Sequence, residues 1–354
     1  MKPIEAFTIV THVASQLIGR WLAPPCQLTP GSVQWDINLR KSSITDFFDL
    51  TQEDWEDFMW ADKQNLVPTL RWVARLCAKR AGFISEVAAA TFVHLRNVKA
   101  NQGCVLLFCD PHYPQNLRVI AKPPLMLTYI GSIEALARQK ISVIGSRQAN
   151  YFGLCQSMRL GELLAETSIC VVSGGAIGCD IAVHLGMLAS HVTEIGACVV
   201  FAGGLGKLYP RRHADVFSRI LNRGGLLISE RLWWQCSFPR DFPIRNRIVS
   251  GLSQYVVVMQ AGDASGAMIT ADEALEQGRE VFVLEHDPLD IRSLGSKKLL
   301  DDGAIGFTSA EDIAGIFKLA LDGPDLTDAG IGMAGRYNGL TLGVNTLIPP
   351  IWTG

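Results

Sequence analysis

No Cys-x-x-Cys pair occurs in this 354-residue chain, although it holds nine cysteines, at 26, 77, 104, 109, 155, 170, 179, 198 and 236. The odd number and irregular spacing argue against a disulfide framework or a zinc site and for reduced core thiols. Equally missing is any run of about 18 apolar residues, so no transmembrane helix is expected. The opening stretch "MKPIEAFTIVTHVASQLIGRW" carries one lysine and is interrupted by Glu5 and His12, which does not read as a signal peptide. The cytoplasm is the expected compartment, with no membrane partner.

Charge is also sparse. Only 19% of residues are charged and the formal net charge is −2, which does not announce a nucleic-acid binder. A whole-chain sum conceals local patches, however, and a polyanion responds to the patch. The Walker A spacing is absent, since "GGLGKLYP" does not fit it, and this argues against an NTPase. No clean G-x-G-x-x-G with an acid about twenty positions on marks a dinucleotide site. Neither a cofactor nor a metal ion is therefore expected.

What is present divides into three textures. Residues 1–100 show helix-like apolar spacing and read as a helical N-terminal lobe, with Phe47, Phe48, Trp55, Phe58, Trp60 and Trp72 as its core; the competing reading makes these rings stacking platforms. Residues 101–315 alternate short β-rich runs with helical segments. The runs include "CVLLFCD", "LMLTYIG", "ISVIGSR", "ICVVSGG", "ACVVFAGG", "GLLISE", "YVVVMQAG" and "EVFVLEHD". Continuous apolar strands alternating with helices predict a doubly wound, Rossmann-like, mostly parallel sheet covered on both faces. Residues 316–354 are Gly/Pro-rich and read as an irregular C-terminal extension.

In such a sheet the ligand crevice lies beyond the carboxyl ends of the strands. Glycines and hydroxyls cluster there: Gly145, Ser146 and Arg147 after one strand, and Ser173, Gly174, Gly175, Gly178 and Asp180 after the next. Gly203, Gly204, Gly206 and Lys207 follow a third, and Ser265, Gly266 and Thr270 a fourth. Each loop alone is explained by tight βα turns. Four together point to a phosphate-bearing ligand held by backbone amides and helix N-termini.

Between 205 and 250 the chain carries nine Lys/Arg against three acids, Asp215, Glu230 and Asp241, a local excess of six positive charges. Arg245 and Arg247 flank Asn246 in "FPIRNRIVSGLSQYVVVM". A helix that starts near these arginines at the carboxyl edge and runs back to the strand would turn both towards the glycine loops. Guanidinium forks bind phosphate oxygens bidentately. The competing reading is a pair of salt-bridged structural arginines.

The stretch "SERLWWQCSFPRDFPIRNRIVSGLS" resembles the DNA-processing protein A family (DprA, also called Smf). "DPHYPQNLRVIAKPPLMLTYIG", "IGSRQANYFG", "SGGAIGCDIAVH", "GGLGKLYP" and "SGAMITADEALEQGREVFVL" resemble it too, in family order over roughly residues 105–312. The resemblance implies a domain that binds single-stranded DNA, protects it during natural transformation and loads the RecA recombinase, without catalytic turnover. It carries DNA contacts onto Ser146, Arg147, Ser173, Gly175, Gly178, Arg240, Phe242, Arg245, Asn246 and Arg247; position alone adds Lys207. A homodimer is a further possibility. Base stacking would fall to Phe242 or Tyr209, for which core packing is the competing reading. The chain departs from the family at Ile177 and at "VFVLEHDPLD", which is expected to put Glu285, His286 and Asp287 near the pocket mouth, where acids repel a phosphate chain.

The alternative keeps the fold and makes the ligand a free nucleotide, sensed or hydrolysed. Asp180, His184 and Glu285–His286–Asp287 would then supply acid/base chemistry. Against it, Asp180 at a loop–helix junction suits an N-cap and His184 a satisfied helix residue.

Overall fold

Runs of Val, Ile and Leu with almost no charge cannot face water on either side, and here they form the middle of a nine-stranded sheet. The structure is a computed structural model that describes residues 9, 12–17, 82–108, 110–322, 336–337 and 340–341. The aromatic residues between 47 and 72 lie outside that set.

The strands are β1 (Cys104–Leu107), β2 (Met126–Gly131), β3 (Lys140–Ile144), β4 (Cys170–Ser173), β5 (Ala197–Phe201), β6 (Leu226–Ser229), β7 (Tyr255–Val258), β8 (Glu280–Leu284) and β9 (Ile305–Phe307). Their order across the sheet is β1-β2-β6-β5-β4-β3-β7-β8-β9. From β6 to β9 every pairing is parallel, with Ile141 of β3 opposite Val171 of β4 on one side and Tyr255 of β7 on the other. Two antiparallel strands, β1 and β2, extend the β6 edge.

The helices around it are α1 (Phe83–Ala100), α2 (Gln115–Arg118), α3 (Tyr151–Ala165), α4 (Cys179–Ala189), α5 (Ala214–Asn222), α6 (Asp241–Leu252), α7 (Gly266–Glu276), α8 (Leu294–Asp301) and α9 (Ala310–Asp322), with short 3-10 turns. Residues 12–17 are also helical, and Arg336–Tyr337 pairs antiparallel with Leu340–Thr341 in a separate two-stranded sheet. Helix α9 crosses residue 315, where the sequence placed the end of the α/β segment.

Two apolar layers sandwich the sheet. Val143, Leu160, Leu164, Val171, Val183, Val199 and Phe217 belong to one. Val172, Val200, Ile248, Val249, Val256, Val258 and Ala271 belong to the other. Full burial of each such side chain contributes roughly 1.5–3 kcal/mol before the entropy cost of ordering the chain. Helices α3 and α4 approach so closely that a Cβ at Gly161 would overlap the Val183 carbonyl, and one at Gly186 would overlap that of Met158. Six described cysteines are free thiols. Cys170, Cys179 and Cys198 are buried, but Cys104, Cys155 and Cys236 are exposed, so the expected core role holds for three of them.

This topology positions the site. The chain leaves β3 towards β4 on one side and returns to the other side at β7, so strand order reverses between them. Helix α3, after β3, packs with α4 on one face; α7, after β7, packs with α6 on the other. The loops beyond β3 and β7 therefore diverge and leave a crevice between them.

Candidate nucleic-acid interface

The crevice is a cavity of about 630 Å³ at the carboxyl edge. Its walls come from the loops after β3, β4, β5, β6 and β7, from α6 and from the start of α7. Of the residues expected from sequence, Gly145, Ser146, Arg147, Gly174, Phe242, Arg245, Asn246, Ser265, Gly266 and Thr270 line it. Asp180, Tyr209 and Ser237 join them.

Helix α6 is longer than the sequence suggested, starting at Asp241 rather than near the arginines. Pro243 is tolerated because the first helical turn leaves its N–H groups unpaired in any case. Asp241 secures that turn. Its carboxylate accepts from the Phe238 amide at 2.8 Å and from Arg231 Nη2 at 2.6 Å. The helix then runs back towards β7, as expected.

Arg245 and Arg247 part company on it, because residues two apart on a helix sit roughly 200° apart around its axis. Arg245 enters the cavity wall. It is 6% exposed, Nη1 donates to the Val200 carbonyl at the end of β5, and Nε has no partner among the described residues. Burial lowers its pKa to about 10, with the Asp180 carboxylate supporting the charge and Arg147 opposing it. It remains a cation at neutral pH. Arg247 faces the interior, where Nη2 donates to Glu230 Oε1 at 2.7 Å. Expected as a contact residue, it does not line the cavity. Its place is among buried groups, beside His12, whose pKa burial lowers to about 4 against the opposing pull of Glu230.

The glycine loops differ from the expected amide cradle. Asp180 Oδ2 accepts from the amides of Gly174 at 3.0 Å and Ala176 at 3.3 Å, and the Gly145 amide adds to the set. These N–H groups are already engaged by an internal carboxylate. Asp180 is not the N-cap of α4; that position is Gly178. Burial raises the Asp180 pKa, while Arg245 and the three amides hold it down. Gly174 leaves room for the guanidinium, since a Cβ there would land on the Arg245 head group.

Other expected residues have structural places. Ser173 is buried, with its Oγ 2.8 Å from His184 Nε2 and accepting the Gly175 amide at 3.0 Å. Gly175 (φ 60°) faces Val199 and Phe217 in the core. Gly178 (φ 93°) lies against the Ser146 carbonyl, which no side chain would permit. Lys207 is exposed in a 3-10 turn outside the cavity. Arg240 is exposed too, with its guanidinium 5.5 Å from the Phe238 ring centroid. Glu285, His286 and Asp287, expected at the mouth, do not line the cavity. Glu285 lies beside Gly306 of β9, and the His286 ring is 2.7 Å from the Met259 carbonyl.

The donors left without a partner among the described residues are therefore side chains and one helix end. Ser265 precedes the first residue of α7, its Oγ buried without a partner among the described residues, and Gly266 opens that helix into the cavity. At the rim, Arg147 stacks over Phe242 at 5.0 Å, and Phe242 meets Tyr209 edge-on at 5.7 Å. Tyr209 is 49% exposed, so this shelf of rings is open to a ligand. Core packing does not account for it. Among the described residues no cluster of three His, Cys, Asp or Glu side chains could hold a metal ion. Nor is any described helix long and apolar enough to cross a membrane.

Sequence reasoning missed Asp180 as the organiser of the loops and Gln260 as their support. The signals were an acid two residues past the last loop glycine, and a polar residue directly after the apolar run "YVVVM".

Comparison with known proteins gives the family. The pattern of DNA recombination-mediator protein A matches residues 104–318. The chain is 37% identical to Protein Smf of Escherichia coli over 208 residues, 57% of this chain and 53% of that protein, so it spans about half the length of that relative. It is 36% identical over 251 residues to DNA processing protein DprA of Bacillus subtilis, 70% of this chain and 83% of that one. The DprA structure from Streptococcus pneumoniae superposes with a TM-score of 0.59 at 26% identity, covering 76% of this chain and 94% of that one. That of Helicobacter pylori, described for its unique single-stranded DNA binding mode, gives 0.56 at 26% identity over 62% and 96%. With a family pattern running through more than half its length, this chain belongs to the DNA recombination-mediator protein A family.

Proposed function

We propose that the cavity and its aromatic rim bind single-stranded DNA, and that the protein acts as a recombination mediator that protects incoming strands and passes them to a RecA-type recombinase. The observation that carries the binding reading is Arg245. It is a buried guanidinium in the wall of a cavity that Ser265 also lines at a helix N-terminus, and neither its Nε nor the Ser265 hydroxyl has a partner among the described residues. An unpaired buried donor costs about 1–3 kcal/mol, and a phosphate oxygen would offset that cost. The Arg147–Phe242–Tyr209 shelf supplies stacking faces, each worth about 1–3 kcal/mol per base and indifferent to sequence. The delivery to RecA, a homodimeric state and the division into helical lobe, α/β domain and C-terminal extension belong to the same proposal and rest on family membership.

Binding rather than turnover is the reading the side chains favour. Asp180 is committed to three amides, and His184 lies in the interior against Ser173. The test is an oligothymidylate titration at two salt concentrations. Affinity should grow with strand length and fall with salt by a slope of about −0.7 per phosphate engaged. Saturation by a mononucleotide, with no gain from longer strands, would overturn the reading.

A further inference from the structure

Gln260 stands two residues past the end of β7 and is fully buried, yet all of its polar groups except the backbone amide are engaged on one loop and its support. Its backbone carbonyl accepts from the Ser146 amide at 2.7 Å. Its side-chain Oε1 accepts from the Asn150 amide at 2.8 Å. Both ends of the loop that carries Arg147 are thus fastened to one residue just beyond the neighbouring strand β7. Nε2 donates in the other direction, to Asp290 Oδ2 at 3.0 Å and Ser293 Oγ at 2.8 Å, which orients the amide and decides which end faces Asn150. Asp290 Oδ2 also accepts from Asn150 Nδ2 at 2.5 Å, closing the ring, while Asn150 Oδ1 caps α3 by accepting from the Gly153 amide at 2.7 Å. Gly153 leaves space for the clamp, since a Cβ there would sit 3.0 Å from Gln260 Oε1.

We infer that Gln260, oriented by Asp290, is a positioning residue for Arg147. It holds the Ser146–Asn150 loop in the one arrangement that sets the Arg147 guanidinium over Phe242 at the cavity rim. Arg147 itself is exposed and makes no ion pair among the described residues, so its position depends on the loop beneath it. This rests on the strand-binding reading above. A loop free to move would spread Arg147 over many positions, and binding would bear the entropy cost of re-ordering it.

The polarity of the clamp provides a test that keeps the side-chain shape. Gln260→Glu replaces the donor facing Asp290 by a second carboxylate oxygen; Gln260→Glu with Asp290→Asn restores one donor and one acceptor between positions 260 and 290 and the original net charge, giving up only the bond from Asn150 Nδ2 to position 290. Oligothymidylate affinity should fall about fivefold in the single variant and return to within about twofold of the parent in the pair. In an Arg147→Ala background, Gln260→Glu should add no further loss. Hydrogen exchange without ligand supplies a second readout, with the Gln148–Asn150 amides exchanging about tenfold faster in the single variant while β3 stays protected. Unchanged exchange overturns the clamp whatever the ligand, and so does a loss of affinity of equal size with and without Arg147. If the parent protein binds no strand while the exchange result holds, the clamp stands and the strand reading falls.

Discussion

Arg245 and Arg247 stand two residues apart on α6 and serve opposite sides of the same helix. The first places a guanidinium in the cavity wall against the Val200 carbonyl, and the second forms a buried ion pair with Glu230. The local excess of positive charge between residues 205 and 250 sorts by the same rule. Glu230 and Asp241 pair with Arg247 and Arg231 inside. Lys207, Arg211, Arg212 and Arg240 remain exposed or nearly so around the loops, without an ion pair among the described residues. A patch can thus be positive in a chain of net charge −2.

Substituting the two cavity arginines should have different consequences. Arg147→Ala removes an exposed cation stacked on Phe242, and should weaken strand binding by about 1–3 kcal/mol with the melting temperature unchanged. Arg245→Ala should weaken binding to a similar degree and also lower the melting temperature, because it leaves the Val200 carbonyl and the Asp180 carboxylate without their cation. Anisotropy titrations beside thermal melts separate the two. Equal melting temperatures in both variants would contradict the buried position of Arg245.

Arg247→Met should behave in the opposite manner. Removing one member of a buried ion pair leaves Glu230 uncompensated, at a cost of roughly 3–5 kcal/mol in stability. The folded fraction should bind strands with parental affinity. Urea unfolding and a titration under stabilising conditions measure both, and a selective loss of binding would return Arg247 to the interface.

Gly174→Ala tests the fit of the guanidinium. The backbone there is not in the left-handed region, so the new methyl is tolerated by the loop itself, yet it lands on the Arg245 head group. Strand affinity should fall about tenfold or more as the guanidinium is displaced, with the secondary structure retained. Parental affinity in this variant would mean that Arg245 does not engage the ligand.

Acid sensitivity should trace partly to His184. Burial lowers its pKa from 6.5 to about 4, so between those values the unfolded chain binds more protons than the native one. Stability from this residue is complete above pH 6.5 and is lost as the pH falls towards 4. His184→Gln keeps a partner for Ser173 and removes the titration. The loss of unfolding free energy between pH 7.5 and 4.5 should shrink by roughly 2–3 kcal/mol. His12 and His94, each also lowered to about 4 by burial, maintain the remainder. An unchanged pH dependence in the variant would place the His184 pKa elsewhere.

Much of the architecture was legible along the chain. "ISVIGSR", "ICVVSGG" and "YVVVMQAG" are too apolar to be half-exposed strands, and the helical segments between them impose parallel crossovers. Their loops then had to gather at one edge, which is why ten of the expected contact residues line one cavity. The remaining six lie outside that cavity. Ser173, Gly175 and Gly178 are the right residue types in the right loop, but their neighbours turn them towards His184, the core and the Ser146 carbonyl.

What the amino-acid order by itself determined is the succession of strands and helices, because apolar periodicity and glycine turns are properties of neighbours along the chain. Only the tertiary structure decided which donors stay free. The rotation of α6 sends one arginine to the cavity and the next to Glu230, and the fold of the β4 loop brings Asp180 under three amides that would otherwise meet a phosphate. Hydrogen-bond partners are set by distance in space, and a buried carboxylate takes whichever amides the packing brings within reach.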